Sequence, residues 1–218
     1  MRPATTSDKG VVKITDTIKL TDEQLDALRE VGNIGAAHAS AALEQLIGKN
    51  IYISVPSAAH PLSLEYIPRA LGKKDDIIVL LFFKIMGDAE GNILIVFSEE
   101  QARSISNILL GRDVGQEMDE DNESALKEVG NILTSTYLTA LSTLVGFSLV
   151  PSIPYIAHDT VSNVADTILI DLRETSDYAL VTDTEFLLDK KTMAGKCLTL
   201  FGRDSFISIL KALGVYKK

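Results

Sequence analysis

An eight-residue stretch occurs twice in this chain, as Ala27-Leu-Arg-Glu-Val-Gly-Asn-Ile34 and as Ala125-Leu-Lys-Glu-Val-Gly-Asn-Ile132. The one difference, Arg29 against Lys127, keeps the charge. The copies stand 98 residues apart, and the same offset carries Leu43 to Leu141, Leu46 to Leu144, Gly48 to Gly146 and Pro56 to Pro154. Agreement in register over that distance points to an internal duplication. The function is therefore to be sought in what was duplicated.

Each copy sits inside a long helical pattern. Thr21-Asp-Glu-Gln24 has the form of a capping box, with acidic residues in the first turn where the helix dipole favours them. It opens a helix expected to run to about Ile47, where Gly48 stops it. Ile51–Val55 has the β-branched and aromatic character of a strand, closed by Pro56, and a short helical turn is expected within Pro61–Ala70. Ile77–Ile85, the turn Gly87–Gly91 and Ile93–Phe97 predict a hairpin, followed by a second capping box at Ser98–Gln101 and a helix through Leu110. The acidic linker Gly115–Glu123 then leads into a helix from about Asn122 to Val145, a strand at Phe147–Val150, a helix at His158–Leu172, a hairpin from Tyr178–Leu188 and Lys196–Phe201, and a last helix at Asp204–Leu213.

The order helix, strand, hairpin, helix thus occurs twice, over about 21–111 and about 119–214. Neither half carries enough core to stand alone. The expectation is one pseudo-two-fold α/β (α+β) domain over 21–218, with a largely antiparallel sheet and two long motif helices, after a partly ordered lead-in at 1–20. In 218 residues no apolar run approaches the roughly 20 residues of a membrane span. Met1–Leu20 lacks the apolar core of a signal peptide, and the single Cys197 excludes an internal disulfide, so a cytoplasmic location is expected. A net charge of −9 without a Lys/Arg cluster argues against nucleic-acid binding and fits a partner with an exposed basic group.

On a helical wheel with Leu25 at 0°, Asp26, Glu30, Asn33, Ala37, Ser40 and Glu44 fall between about 60° and 140°. Leu28, Val31, Ile34, Ala39, Leu43 and Leu46 spread over the remaining circumference. The wheel predicts a mostly buried helix with one exposed strip, in which Glu30 and Asn33 are neighbours at i, i+3. Gly32 and Gly35 lie on the buried side, where each costs about 1 kcal/mol relative to Ala. They are expected to permit close packing against another backbone.

A solvated helix face is one reading of this strip. Three features favour another: Asn is a poor residue for a helix interior, it keeps the same spacing to Glu in both copies, and Lys and Arg are missing from the middle of the strip. A Glu beside an Asn brings neither nucleophile nor metal cluster. It offers a carboxylate for a cation and an amide that donates and accepts, the group that positions a water in some phosphoryl hydrolases. The pair suits an accessory role, completing an active site that belongs to another protein.

The spacing resembles the signature of the CheC family of chemotaxis phosphatases, which also includes CheX and the N-terminal part of FliY. That signature is Asp or Ser, three residues, Glu, two residues, Asn, then about twenty-two residues to Pro. Asp26, Glu30, Asn33 and Pro56 match it, as do Ser124, Glu128, Asn131 and Pro154. Two copies in a chain of this length are closest to the CheC branch. CheX carries one motif, and FliY an extra C-terminal domain that is not expected after residue 214.

The resemblance implies dephosphorylation of the response regulator CheY. Glu30 and Glu128 would bind its active-site Lys, and Asn33 and Asn131 would orient water for in-line attack on its phosphoaspartate. Asp26, Ser124, Pro56 and Pro154 would support the motif. No cofactor is implied on this chain, the Mg²⁺ being CheY's. A second partner implied is the deamidase CheD, bound through the helix at His158–Leu172. The alternative is a non-catalytic adaptor for phosphorylated CheY or CheD. The copies depart from each other after the Asn: Ile34-Gly-Ala-Ala-His38 is small, and Ile132-Leu-Thr-Ser-Thr136 is bulkier.

The remaining reactive side chains read as structural. His38, His60 and His158 have no metal-ligand spacing, and His38, at about 220° on the wheel, reads as a core histidine. Cys197 lies in a strand pattern, and Asp119–Asp121 fits a helix N-terminus rather than a calcium loop.

Overall fold

The computed structural model describes residues 20–48, 50–54, 60–112, 117–175, 178–188 and 191–216. The lead-in before Leu20, Pro56 and part of the acidic linker lie outside the described residues. Among the described residues six helices and eight strands follow in the order α1 (Asp22–Ile47), β1 (Ile51–Ser54), β2 (His60–Ser63), α2 (Ile67–Leu71), β3 (Ile77–Gly87), β4 (Gly91–Ser98), α3 (Glu99–Leu109), α4 (Glu120–Val145), β5 (Leu149–Pro151), β6 (Tyr155–Thr160), α5 (Val161–Thr175), β7 (Tyr178–Leu188), β8 (Lys191–Phe201) and α6 (Arg203–Ala212). No helix among the described residues is long and apolar enough to cross a membrane.

The eight strands form one antiparallel sheet in the order β1-β7-β8-β4-β3-β5, with β2 also on β7 and β6 also on β3. The chain halves share this sheet by exchange. β1 from the first half edges the second half's hairpin, and β5 and β6 from the second half edge the first half's. The hairpins meet at β4 and β8 in the centre, Gly91 opposite Phe201 through Val96 opposite Lys196.

Because the central strands are covered on both faces, they read as continuous apolar runs, not alternating ones. Val79, Leu81, Phe83 and Ile85 of β3 point to one side, with Ile93, Ile95 and Phe97 of β4, and there they meet α1, α3, α4 and α6. Ile78, Leu80 and Phe82 point to the other side, with Leu94, Val96, Leu198 and Leu200, and there they meet α2 and α5. Phe83 and Phe97 are fully buried, each contributing about 1.5–3 kcal/mol by removal from water.

Three expectations need correction. The segment expected as one helix from His158 begins as strand: Tyr155–Thr160 pairs with β3, and the helix starts at Val161. The local signal is a cap, since the Thr160 hydroxyl accepts from the Asn163 backbone N–H at 3.4 Å. The short β2 precedes the expected helical turn in 61–70. The second long helix starts at Glu120, inside the stretch read as linker, capped by Asp119.

Candidate functional site

The two motif helices are built alike. Each is 26 residues long and ends on a left-handed glycine, Gly48 at φ 68° and Gly146 at φ 72°, the geometry that makes glycine the favoured stop. Each starts on a reciprocal cap. Thr21 accepts from the Gln24 N–H while the Gln24 side chain accepts from the Thr21 N–H, and Asp119 and Asn122 do the same.

The third residue of each cap also reaches into the core. Gln24 Nε2 donates to the Val215 carbonyl at 2.9 Å, just past α6. Asn122 Nδ2 donates to Ser106 Oγ at 2.8 Å and Asn107 Oδ1 at 2.9 Å, on α3. The buried polar set Asn122, Ser106 and Asn107 escaped the sequence reading because Asn at the third helical position is a weaker signal than Glu or Gln.

The second cap is further braced by Arg112, whose guanidinium donates to Asp119 at 2.8 Å and to Asp121. Asp119 is held below the usual carboxylate range, first by the Asn122 backbone N–H and then by Arg112. Arg112 is raised by its bonds to Asp121 and Asp119.

The helices approach each other closely where Gly35 of α1 faces Tyr137 of α4. A Cβ at Gly35 would stand 2.9 Å from Tyr137 Cα, so the close approach expected of this glycine is made against α4. Gly130 lies against the sheet instead, a Cβ there meeting Leu81 Cδ1 at 2.8 Å and Phe83 Cζ at 2.9 Å. Tyr137 is wedged at the crossing, and its phenol is pushed up to about 12, by burial first and then by the neighbouring Cys197.

On the open side of α1, Asp26, Glu30 and Asn33 are all exposed. On α4, Ser124 and Glu128 are exposed and Asn131 is half-buried. The wheel placed Glu30 and Asn33 on the open face, where they are exposed, but drew the strip too narrow. The open arc of α1 runs from Arg29 at about 40° to His38 at about 220°. His38 is exposed, not a core histidine, and Leu46 is 57% exposed. Among the described residues the helix is covered on one half, by α4 and the sheet. Ser40 leaves the strip: its hydroxyl donates to the Ala36 carbonyl and accepts from the Ile53 N–H, each at 2.8 Å, tying α1 to β1.

Pro154 is half-buried in the break between β5 and β6. Lys127 leans toward Glu123, one turn back, at 4.0 Å. Each motif face therefore offers a carboxylate and an amide to whatever docks there, together with acidic first turns at Asp22–Glu23 and Glu120–Asp121. Among the described residues no group of three or more His, Cys, Asp or Glu is placed to hold a metal ion. A cleft of about 740 Å³ at the α3 N-terminus, lined by residues such as Asp76, Glu99 and Lys196, includes none of the motif side chains.

The model of the CheC-like family matches residues 23–60 and 122–154, which are the two motif helices and the edge strands after them. The CheY-P phosphatase CheC of Bacillus subtilis (strain 168) is 34% identical over 203 residues, 89% of this chain and 96% of that protein. Among solved structures, FliY of Thermotoga maritima superposes with a TM-score of 0.74 at 20% identity, covering 89% of this chain and 98% of that one. A structure of the FliM–SpeE complex from H. pylori gives 0.68 at 15% identity, covering 90% and 97%. At those identities the likeness is one of fold.

Proposed function

This chain belongs to the CheC-like family, and from that premise we propose that it is a phosphatase of the phosphorylated response regulator CheY. The observation that carries the reading is the pair of Glu–Asn neighbours on two packed helices, Glu30 with Asn33, both exposed, and Glu128, exposed, with the half-buried Asn131. Glu30 and Glu128 bind the active-site lysine of the regulator, a charge-assisted contact that fixes orientation. Asn33 and Asn131 enter its active site, where the side-chain amide accepts from one water and directs the oxygen lone pair at phosphorus.

The water oxygen bonds to phosphorus as the bond to the aspartyl oxygen breaks. The carboxylate is released, and the water's proton leaves with inorganic phosphate. The regulator supplies the metal and most of the electrostatic stabilisation; this chain supplies position. Asp26 and Ser124, one turn before each Glu, and the prolines Pro56 and Pro154 support the geometry. The two motif copies belong to one pseudo-two-fold domain acting in the cytoplasm.

The test mixes the cognate regulator, phosphorylated by a small phosphodonor, with this protein and follows phosphate release. Acceleration supports the reading. An unchanged rate at saturating protein, with binding retained, would make the chain an adaptor. A second partner, the deamidase CheD, is proposed at α5, where Ile170 is 67% exposed. Charge reversal along the outer face of α5 is expected to abolish co-elution with CheD, and persistence of binding would remove that assignment.

A further inference from the structure

The edge of the sheet beside the second motif is not a plain strand. β5 sets Pro151 opposite Ile85, and β6 sets Tyr155 opposite Phe82. Two residues of β3, Phe83 and Lys84, therefore face three, Ser152, Ile153 and Pro154. This is a β-bulge, and it explains how the edge accepts a proline, which cannot donate to a ladder. Ser152 pins the bulge: its N–H donates to the Lys84 carbonyl and its hydroxyl accepts from the Lys84 N–H, both at 2.9 Å. Ile153 is left 90% exposed, with Val150 at 49% and Tyr155 at 57% on either side of it.

The bulge is level with the motif. Gly130 rests on Phe83, where an added Cβ would come within 2.9 Å of Cζ. Continuing the β6 register by one step puts Pro154 across from Phe83, about 4.8 Å to the side. Asn131 is the next residue after Gly130.

We infer that Ile153, presented by this bulge next to the strand position on which Gly130 rests, is a docking residue that contacts the phosphorylated regulator when its active site receives Asn131. The inference rests on the proposed function and adds to it an apolar anchor at the rim of the second site. An isoleucine this exposed is surface that a partner gains by covering.

The experiment measures kcat and KM for phosphate release from the phosphorylated regulator in an Asn33→Ala background, so that the second copy alone reports. The unmutated chain is assayed first, and failure there to accelerate release overturns the proposed function itself. With that established, Ile153→Asp is expected to raise KM about tenfold at unchanged kcat, as loss of an apolar anchor requires, and Ile153→Leu is expected to restore it. An unchanged KM in Ile153→Asp overturns the inference, as does a fall in kcat alone. A silent Asn33→Ala chain beside an active parent also overturns it, because the second site would then process no substrate. Ile153 is too exposed for these substitutions to threaten the fold, and an unchanged thermal melt checks that.

Discussion

The two motif helices share a sequence and a length but are held differently. α4 starts on a charged cap, Asp119, which is clamped by Arg112 and backed by the buried Asn122–Ser106–Asn107 set. α1 starts on a neutral one, Thr21, with Gln24 bonded to the Val215 carbonyl. Past the Asn, α1 presents Ala37 and Ala41 where α4 presents Ser135 and Thr139, all exposed. The two copies therefore keep the same two side chains for a partner while the supports beneath them differ. The better-braced copy should hold its Asn in place more rigidly, and position is what such a site supplies.

The largest effect expected tests that directly. Asn33→Ala with Asn131→Ala should return phosphate release to the regulator's own rate, because loss of one oriented group costs about 10²–10³ in rate. The melt should not move, since neither side chain is fully buried. Of the single variants, Asn131→Ala should lose more activity than Asn33→Ala. Equal losses would break the comparison.

The glycines sharpen it next. Gly35→Ala puts a methyl 2.9 Å from the backbone of Tyr137, so the helices must part. Overpacking of this kind costs about 1–3 kcal/mol, more than the roughly 1 kcal/mol gained from helix propensity. Gly130→Ala meets the ends of the Leu81 and Phe83 side chains instead, which shift more easily than a main chain. Denaturant unfolding should therefore rank Gly35→Ala below Gly130→Ala, and the reverse order would place the rigid crossing elsewhere.

The interior polar set comes next. Asn122→Ala removes the donor to Ser106 and Asn107, which are fully buried. Stranding such groups costs about 1–3 kcal/mol. Gln24→Ala frees only the Val215 carbonyl, near the chain end, and should cost less.

Much of this was legible in the chain before any coordinates, and the failures have a common cause. Caps, glycine stops and hairpins depend on neighbours in sequence, so Thr21, Gly48, Ser98 and the Gly87–Gly91 turn could be read directly. The wheel found Glu30 and Asn33 because their exposure follows from the helix alone. It misjudged His38 and Ser40, since what covers them is decided by α4 and β1, far away in sequence. β6 read as helix because an edge strand of residues such as His158, Asp159 and Thr160 has no apolar alternation of its own. Its strand character comes from pairing with β3. Ile153 had no signal at all: its exposure is a property of the mismatch between two registers.

The smallest effect separates the two caps by their response to acid. Asp119 is held below its ordinary value of 3.8, so its contribution to the folded state is complete above about pH 3.8 and is lost as pH falls from there through the lower folded value. Thr21 has no proton to gain in that range. Amide protection at the start of α4 should therefore fall further below pH 3.8 than protection at the start of α1. Asp119→Ala should lower the melting temperature by about 2–4 °C through loss of the cap. Asp119→Asn should sit close to the parent at neutral pH, because Asn caps as well as Asp and the exposed pair with Arg112 adds little. The Asn variant should also lose the acid response, since no carboxyl remains to protonate. If Asp119→Asn instead melts with Asp119→Ala, the Arg112 ion pair and not the cap is what braces the second motif helix.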